Sequence, residues 1–236
     1  MLSGKYIAFC EGDDYWCDDS KLARQVAYME AHPDCTMCLH SAEQVKGDVI
    51  IADRMMRPYD HDCRIEPDGI ISKRAAYPTA SLLLRADVMK KLPEFYMKAP
   101  IGDIPMQLCM ASEGYAYYID RPMCAYRYCI SGSWTSDMLQ GDYIAKQNKY
   151  ADEMVLMYER FDRYTGGRFR GAVTDAKDRL VYLTKVNIRD WDAIFDKSSR
   201  KYLNELGAFE VNALRFEKAM PGVYKGLQKL FLQHGK

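Results

Sequence analysis

Three carboxylates fall within four residues, Glu11-Gly12-Asp13-Asp14, directly after the apolar run Tyr6-Ile7-Ala8-Phe9-Cys10. Held that close, the charges repel one another unless something positive is shared among them, and a divalent cation is the natural candidate. Acidic residues also suit solvated turns on backbone grounds alone, so the string by itself leaves both readings open. A further acid stands about ninety residues on, in Ile101-Gly102-Asp103-Ile104-Pro105. An aspartate at a helix start serves as an N-cap, and one beside a bound hydroxyl can act as a general base.

The residues behind the acids narrow the choice. Glu11-Gly12-Asp13-Asp14-Tyr15-Trp16, followed by Lys21-Leu22 and Gln25-Val26, resembles the metal-binding segment of family 2 glycosyltransferases of the GT-A fold. The resemblance implies an inverting, metal-dependent transfer of a sugar from a nucleotide-diphospho-sugar donor to the hydroxyl of a glycan or lipid-linked acceptor. It implies Mg2+ or Mn2+ held by Asp13, with Glu11 and Asp14 contributing through a second ligand, water or the ribose. Glu11 stands where the family more often has aspartate, which carries its carboxylate one methylene further out. Gly102-Asp103 occupies the family's place for the catalytic base. By the same likeness Thr79 and Ser81 contact the donor sugar. Tyr126-Arg127 with Ser131-Gly132-Ser133-Trp134 would close over the diphosphate or the acceptor, Arg127 offering its fork of donors to phosphate. Close packing at Thr79 and Ser81 and a structural role for Arg127 are the plainer readings. No Gln-x-x-Arg-Trp string occurs, which argues against the processive, polymer-extruding branch.

The likeness runs from Ser3 to Trp134 and corresponds to the second half of the family's catalytic domain, without the nucleotide-binding half that comes first there. A strand at Tyr6–Cys10 is then expected to expose an edge, which an oligomer or a partner would cover, and turnover by these residues alone is expected to be weak. The alternative reading is a noncatalytic metal-binding or protein-interaction domain derived from the same fold.

The elements that must position these groups are α/β: a partial GT-A mixed sheet with flanking helices over 1–136, then an α-helical subdomain over 137–236. Tyr6–Cys10 reads as a buried strand. Asp18 or Asp19 is placed to cap a helix from Ser20 to Ala31 whose Leu22, Val26 and Met29 face the sheet, with Pro33 ending it. Thr36–His40 reads as a strand. Ser41–Tyr77 reads as a long irregular excursion with a short strand at Val49–Ala52, and Thr79–Leu84 as a strand followed by a short helix across Asp87–Lys91. Asp103 caps a helix ending at Gly114, and two strands, Tyr115–Asp120 and Met123–Tyr128, flank Arg121-Pro122. Beyond Asp137 the apolar spacing turns helical, with a first long segment ending near Gly166-Gly167.

The 236 residues carry 33 basic and 33 acidic side chains, a balance that gives no global field for nucleic acid. The eight cysteines lie mostly in apolar segments, and without an export signal they read as reduced thiols of a cytoplasmic protein. Cys35-Thr36-Met37-Cys38 alternates as a strand does, which favours structural thiols over zinc. The basic, amphipathic Tyr224–Leu232 is open to peripheral contact with anionic lipid at the inner membrane face.

Overall fold

The computed structural model describes residues 4–47, 49–72, 77–90, 92–128 and 134–234, and these are mixed α/β. Seven strands of the described residues, β1 (Tyr6–Ala8), β2 (Tyr15–Trp16), β3 (Cys35–Lys46), β4 (Val49–Met56), β5 (Cys63–Ile65), β6 (Leu83–Arg85) and β7 (Tyr115–Arg127), join in one sheet. Its axis is the long parallel pair β3 and β7. On the free side of β3, β6 and then β4 pair antiparallel, and on the free side of β7, β5 and β2 do the same. β1 pairs antiparallel with β6 and so runs in the direction of β3 and β7. The carboxyl ends of all three therefore lie at one end of the sheet, where open α/β sheets bind ligands.

β1 is shorter than the expected Tyr6–Cys10 and only half-buried, because it is the outermost strand, paired on one side alone among the described residues. The stretch Ser41–Tyr77 is a correction of a larger kind. β3 continues to Lys46, turns at Gly47 (φ 63°) into β4, and the chain then adds β5 and α2 (Pro67–Ser72), ordered against the sheet. Side-chain bonds hold the crossing: Arg57 grips the Asp120 carboxylate with two donors, and the Asp62 carboxylate accepts the Asp120 N–H at 2.7 Å. Hydrophobic period carries no trace of such bonds, so the segment reads as irregular from sequence.

α1 (Lys21–Ala31) lies under β3 and β6. Ser20 takes the N-cap position, with the Asp18 carboxylate accepting from its N–H and hydroxyl. Of the expected face Met29 is fully buried and Val26 packs partly buried against the core, but Leu22 is 38% exposed, and Lys21 and Gln25 take the innermost positions instead. The Thr79–Leu84 segment opens as a 3-10 turn at Thr79–Ser81 before β6, and the helices α3 (Ala86–Met89) and α4 (Glu94–Met97) follow. α5 (Asp103–Glu113) packs on β3 and β7 and is buried along most of its length. Gly114 ends it as expected, where the chain passes so close to Asp34 that an added Cβ would meet that carbonyl oxygen at 2.3 Å. Arg121-Pro122 does not split two strands. β7 is continuous, and its register against β3 jumps between His40/Ile119 and Ala42/Cys124, a bulge that accommodates the proline.

α6 (Trp134–Met138) and α7 (Tyr143–Tyr164) belong to the same compact unit as the sheet, residues 1–177, whereas 178–236 form a second. The expected division at 136/137 thus differs from the observed one, because Phe95 of α4 packs edge-on against Phe161 of α7 at 5.4 Å and draws that helix to the first unit. α7 ends as the sequence indicates: Gly167 N–H reaches the Asp162 carbonyl and Gly166 N–H that of Arg163, both glycines at positive φ. The divide falls within α8 (Arg170–Asn187). The second unit, completed by α9 (Trp191–Ile194), α10 (Arg200–Leu203), α11 (Ala208–Ala219) and α12 (Pro221–His234), has its own core of Tyr182, Val186, Ile194, Tyr202 and Leu214. No helix among the described residues is long and apolar enough to cross a membrane.

Candidate functional site

The Glu11–Asp14 turn lies at the carboxyl end of β1, closed by the Asp14 N–H donating to the Glu11 carbonyl at 3.1 Å. Arg127, the last residue of β7, fixes it. Its backbone N–H donates to Asp14 Oδ1 at 3.0 Å, its guanidinium donates to the Asp13 carbonyl at 2.7 Å and to the Gly47 carbonyl at 3.4 Å, and it covers the Tyr15 ring at 4.7 Å. Arg127 thereby braces the acidic turn and the β3–β4 hairpin together. This is the structural role, with guanidinium donors spent on the Asp13 and Gly47 carbonyl oxygens.

The acids are not equivalent. Asp14 is 8% exposed, and burial lifts its carboxyl above the ordinary range despite the Arg127 N–H that favours the charge. Asp13 is half-buried, and its carboxylate has no hydrogen-bond or ion-pair partner among the described residues. Glu11 is the most open of the three, yet its carboxyl is also raised, first by loss of solvent around the acid group and then by the charges of Asp14, Asp13 and Asp103. The Thr79 side chain beside the Glu11 carboxylate partly offsets this. Solvent access on the open side keeps these effects modest.

The fold therefore gathers Glu11, Asp13, Asp14, Thr79 and Asp103 into one neighbourhood from three separate stretches of chain. Asp103 is the first residue of α5 and not its N-cap: Gly102 holds that position, no side chain caps the helix, and the Asp103 carboxylate is left without a hydrogen-bond partner among the described residues. Ser81 does not join the group. It is fully buried, with its hydroxyl donated to the Pro78 carbonyl at 2.6 Å, so its side chain is closed to a sugar. Ser131-Gly132-Ser133 lies outside the described residues. Among the described residues no three acids, imidazoles or thiols converge as a ready-made cation cage.

Beneath the turn runs a buried polar seam that the hydrophobic pattern does not announce. Lys21, 1% exposed, donates from Nζ to Gln25 Oε1 at 2.9 Å and lies 4.5 Å from the Trp16 ring centre. Gln25 Nε2 donates in turn to the carbonyls of Ser81 (2.8 Å) and Cys38 (3.1 Å), while Trp16 Nε1 donates to those of Ala80 (3.0 Å) and Phe9 (3.2 Å). Trp16, Lys21 and Gln25 thus tie β1, β3 and the 3-10 turn together. Burial pushes the Lys21 ammonium down to about 8. Two further buried groups carry unsatisfied atoms: His40, whose Nδ1 bonds the Ser41 carbonyl at 2.7 Å and whose Nε2 has no partner, and Gln107, with neither amide atom bonded. Gln107 is four residues from Asp103 on α5, a spacing legible in the sequence.

Two aromatic residues complete the neighbourhood. Trp134 is 50% exposed and tilts against Tyr150 of α7, ring centres 5.1 Å apart at 59°. The Tyr150 phenol is raised by burial and by the Asp103 charge, which places the two side chains within electrostatic reach of each other. Tyr150 had no signal in the sequence beyond its place in an amphipathic helix.

No family model matches the chain. Three uncharacterized proteins, one of Mycobacterium bovis and two of Mycobacterium tuberculosis, are similar to it. Each is 29% identical over 133 residues, which cover 56% of this chain and 37% of the relative. The match thus spans little more than a third of the length of those curated relatives.

Proposed function

We propose that the carboxylate neighbourhood is a metal-assisted nucleotide-diphospho-sugar site, and that the chain carries the metal and base residues of a GT-A-type, family 2-like glycosyltransferase. The observation that carries this reading is that Glu11, at the end of the sheet, feels the charge of Asp103, a group about ninety residues away in sequence, as well as those of Asp13 and Asp14. A fold that only needed a solvated turn would have no cause to bring a further partnerless acid to it.

The donor chemistry fits Mg2+ or Mn2+. The oxygens are hard, the charges repel, and Asp13 presents a carboxylate with no protein partner among the described residues. Asp13 and Glu11 would hold the ion, which when bound supplies Lewis-acid stabilisation of the departing diphosphate. The chain's own residues do the rest. Arg127 and the tied-down Asp14 hold the turn rigid, so that little reorganisation is needed when charge develops. Thr79 lies beside Glu11 and favours its charged form. Asp103, with no hydrogen bond to give up, takes the proton of an acceptor hydroxyl on a glycan or lipid-linked acceptor.

The test is calorimetric titration of the full chain with UDP- and GDP-sugars, with and without Mn2+. Binding is expected only with Mn2+ and is expected to weaken about tenfold or more in Asp13→Ala. Asp103→Asn is expected to keep donor binding and to cut transfer about a hundredfold. Donor binding that ignores both Mn2+ and Asp13→Ala would refute the proposal. The open edge of β1 favours a rival, a protein-interaction domain; metal-indifferent self-association in sedimentation, without donor binding, is the outcome that selects it.

A further inference from the structure

In the second unit, α12 is a helix without enough to hold it in water. Pro221 suits its first position, but Gly222 and Gly226 both weaken a helix relative to alanine, and one of 14 residues is marginal by itself. It therefore needs a surface to lie on. The unit's own core supplies none, since Tyr182, Val186, Ile194, Tyr202 and Leu214 include no residue of α12. Tyr224 meets Phe216 of α11 edge-on, ring centres 6.2 Å apart, while the neighbouring apolar side chains turn outward. Val223 and Leu227, one helical turn apart and so on one side, are 47% and 41% exposed, and Met220 just before the helix is 49% exposed. The charge around this stripe has one sign. From Lys218 to Lys236 the sequence holds four lysines and no carboxylate side chain, and across 178–236 eleven lysines and arginines stand against seven carboxylates. Lys225 is exposed and has no ion pair among the described residues.

We propose that α12 docks the protein on an anionic lipid surface, lying in the plane of the interface with Met220, Val223 and Leu227 at the acyl boundary and its lysines among the headgroup phosphates. The assignment stands on the second unit and not on the glycosyltransferase reading. A lipid interface matches the helix on both counts: it offers apolar depth to the stripe and negative charge to a segment that has no carboxylate to repel it. A second copy of the chain fits less well, because pairing two such helices brings lysine against lysine. The helix lies on the bilayer and does not cross it, since 14 residues rise about 21 Å and the hydrocarbon layer is about 30 Å thick.

Flotation of the full chain with vesicles tests this, using phosphatidylcholine alone and phosphatidylcholine mixed with phosphatidylglycerol. The chain is expected to float with the mixed vesicles and not with the neutral ones. Affinity for the mixed vesicles is expected to fall about tenfold or more when Val223→Ser and Leu227→Ser are combined, and about fivefold in Lys225→Gln. These positions are exposed, so the variants are expected to keep the wild-type unfolding midpoint in urea. Val49→Ser, which removes an equally apolar and 72% exposed side chain from the first unit, is expected to leave flotation unchanged. The proposal is overturned if the chain does not float with the anionic vesicles, or if the double variant floats as the wild type does. It is overturned equally if sedimentation without vesicles shows a dimer that the double variant loses, since the stripe is then covered by a second copy.

Discussion

The acidic turn and the polar seam beneath it lie one residue apart in places, yet they treat charge in opposite ways. In the turn, Glu11, Asp13, Asp14 and the approaching Asp103 share one sign, and their neighbourhood leaves part of that repulsion standing. In the seam, the single Lys21 charge is buried, bonded to Gln25 and laid against Trp16, with both Gln25 amide protons used on carbonyl oxygens. Unrelieved repulsion is what the proposed cation would offset, whereas a satisfied buried network fixes how strands and turn meet. The seam is structure, and the turn is where the proposal above puts chemistry, although both come from the stretch of sequence that resembles a single motif.

The sharpest way to break that distinction is to remove the centre of the seam. Gln25→Ala strips the Ser81 and Cys38 carbonyls of their donor and leaves the buried Lys21 ammonium without its acceptor. A loss of about 3 kcal/mol in urea unfolding is expected, since orphaned buried polar groups cost their full desolvation. A loss under about 1 kcal/mol would mean that the network contributes no more than a surface pair.

The two regions also differ in the sign of their response to pH. Burial holds the His40 imidazole down to about 3 against an ordinary 6.5, so the unfolded chain binds the extra proton between those values. Stability therefore rises with pH across that window and is lost as pH falls below about 6.5, by about 5 kcal/mol in all. Lys21 acts in the same direction higher up, between about 8 and 10.5. The raised carboxyls of Glu11 and Asp14 act in the opposite direction, stability falling as pH climbs above their ordinary 4.5 and 3.8. Urea unfolding from pH 3.5 to 7 is expected to show a positive slope that His40→Gln flattens; an unchanged slope would remove His40 as its source.

How much of this was legible in the sequence follows the same divide. Glu11, Asp13 and Asp14 announce themselves by charge against an apolar run, and Asp103 by its place at a helix start. The helix ends at Gly114 and Gly166-Gly167 were readable because backbone geometry demands glycine there. Lys21 and Gln25 were not, since pattern reading assigns the core stripe to Leu22 and Val26, and a lysine enters a core only when a tertiary partner such as Trp16 meets it. The order within 41–77 was hidden for a related reason: the Arg57–Asp120 and Asp62–Asp120 bonds join residues about sixty apart. Ser81 was misjudged because small residues beside a proposed pocket look alike whether they line it or support it from below.

The finest test concerns one charge in the turn. Glu11→Gln keeps the shape and the Thr79 contact while removing one of the repelling charges. Because Glu11 is largely solvent-open, screening limits the gain, and the thermal midpoint without divalent ions is expected to rise by about 2 °C at pH 7. With Mn2+ the order reverses: the wild type gains stability by mass action on the folded state, and the variant, short of one anionic ligand, gains less. A crossing of the two midpoints on Mn2+ addition is the signature of repulsion held for a cation. If Glu11→Gln lowers the midpoint without metal, the turn is held by its own hydrogen bonds and the contrast with the seam disappears.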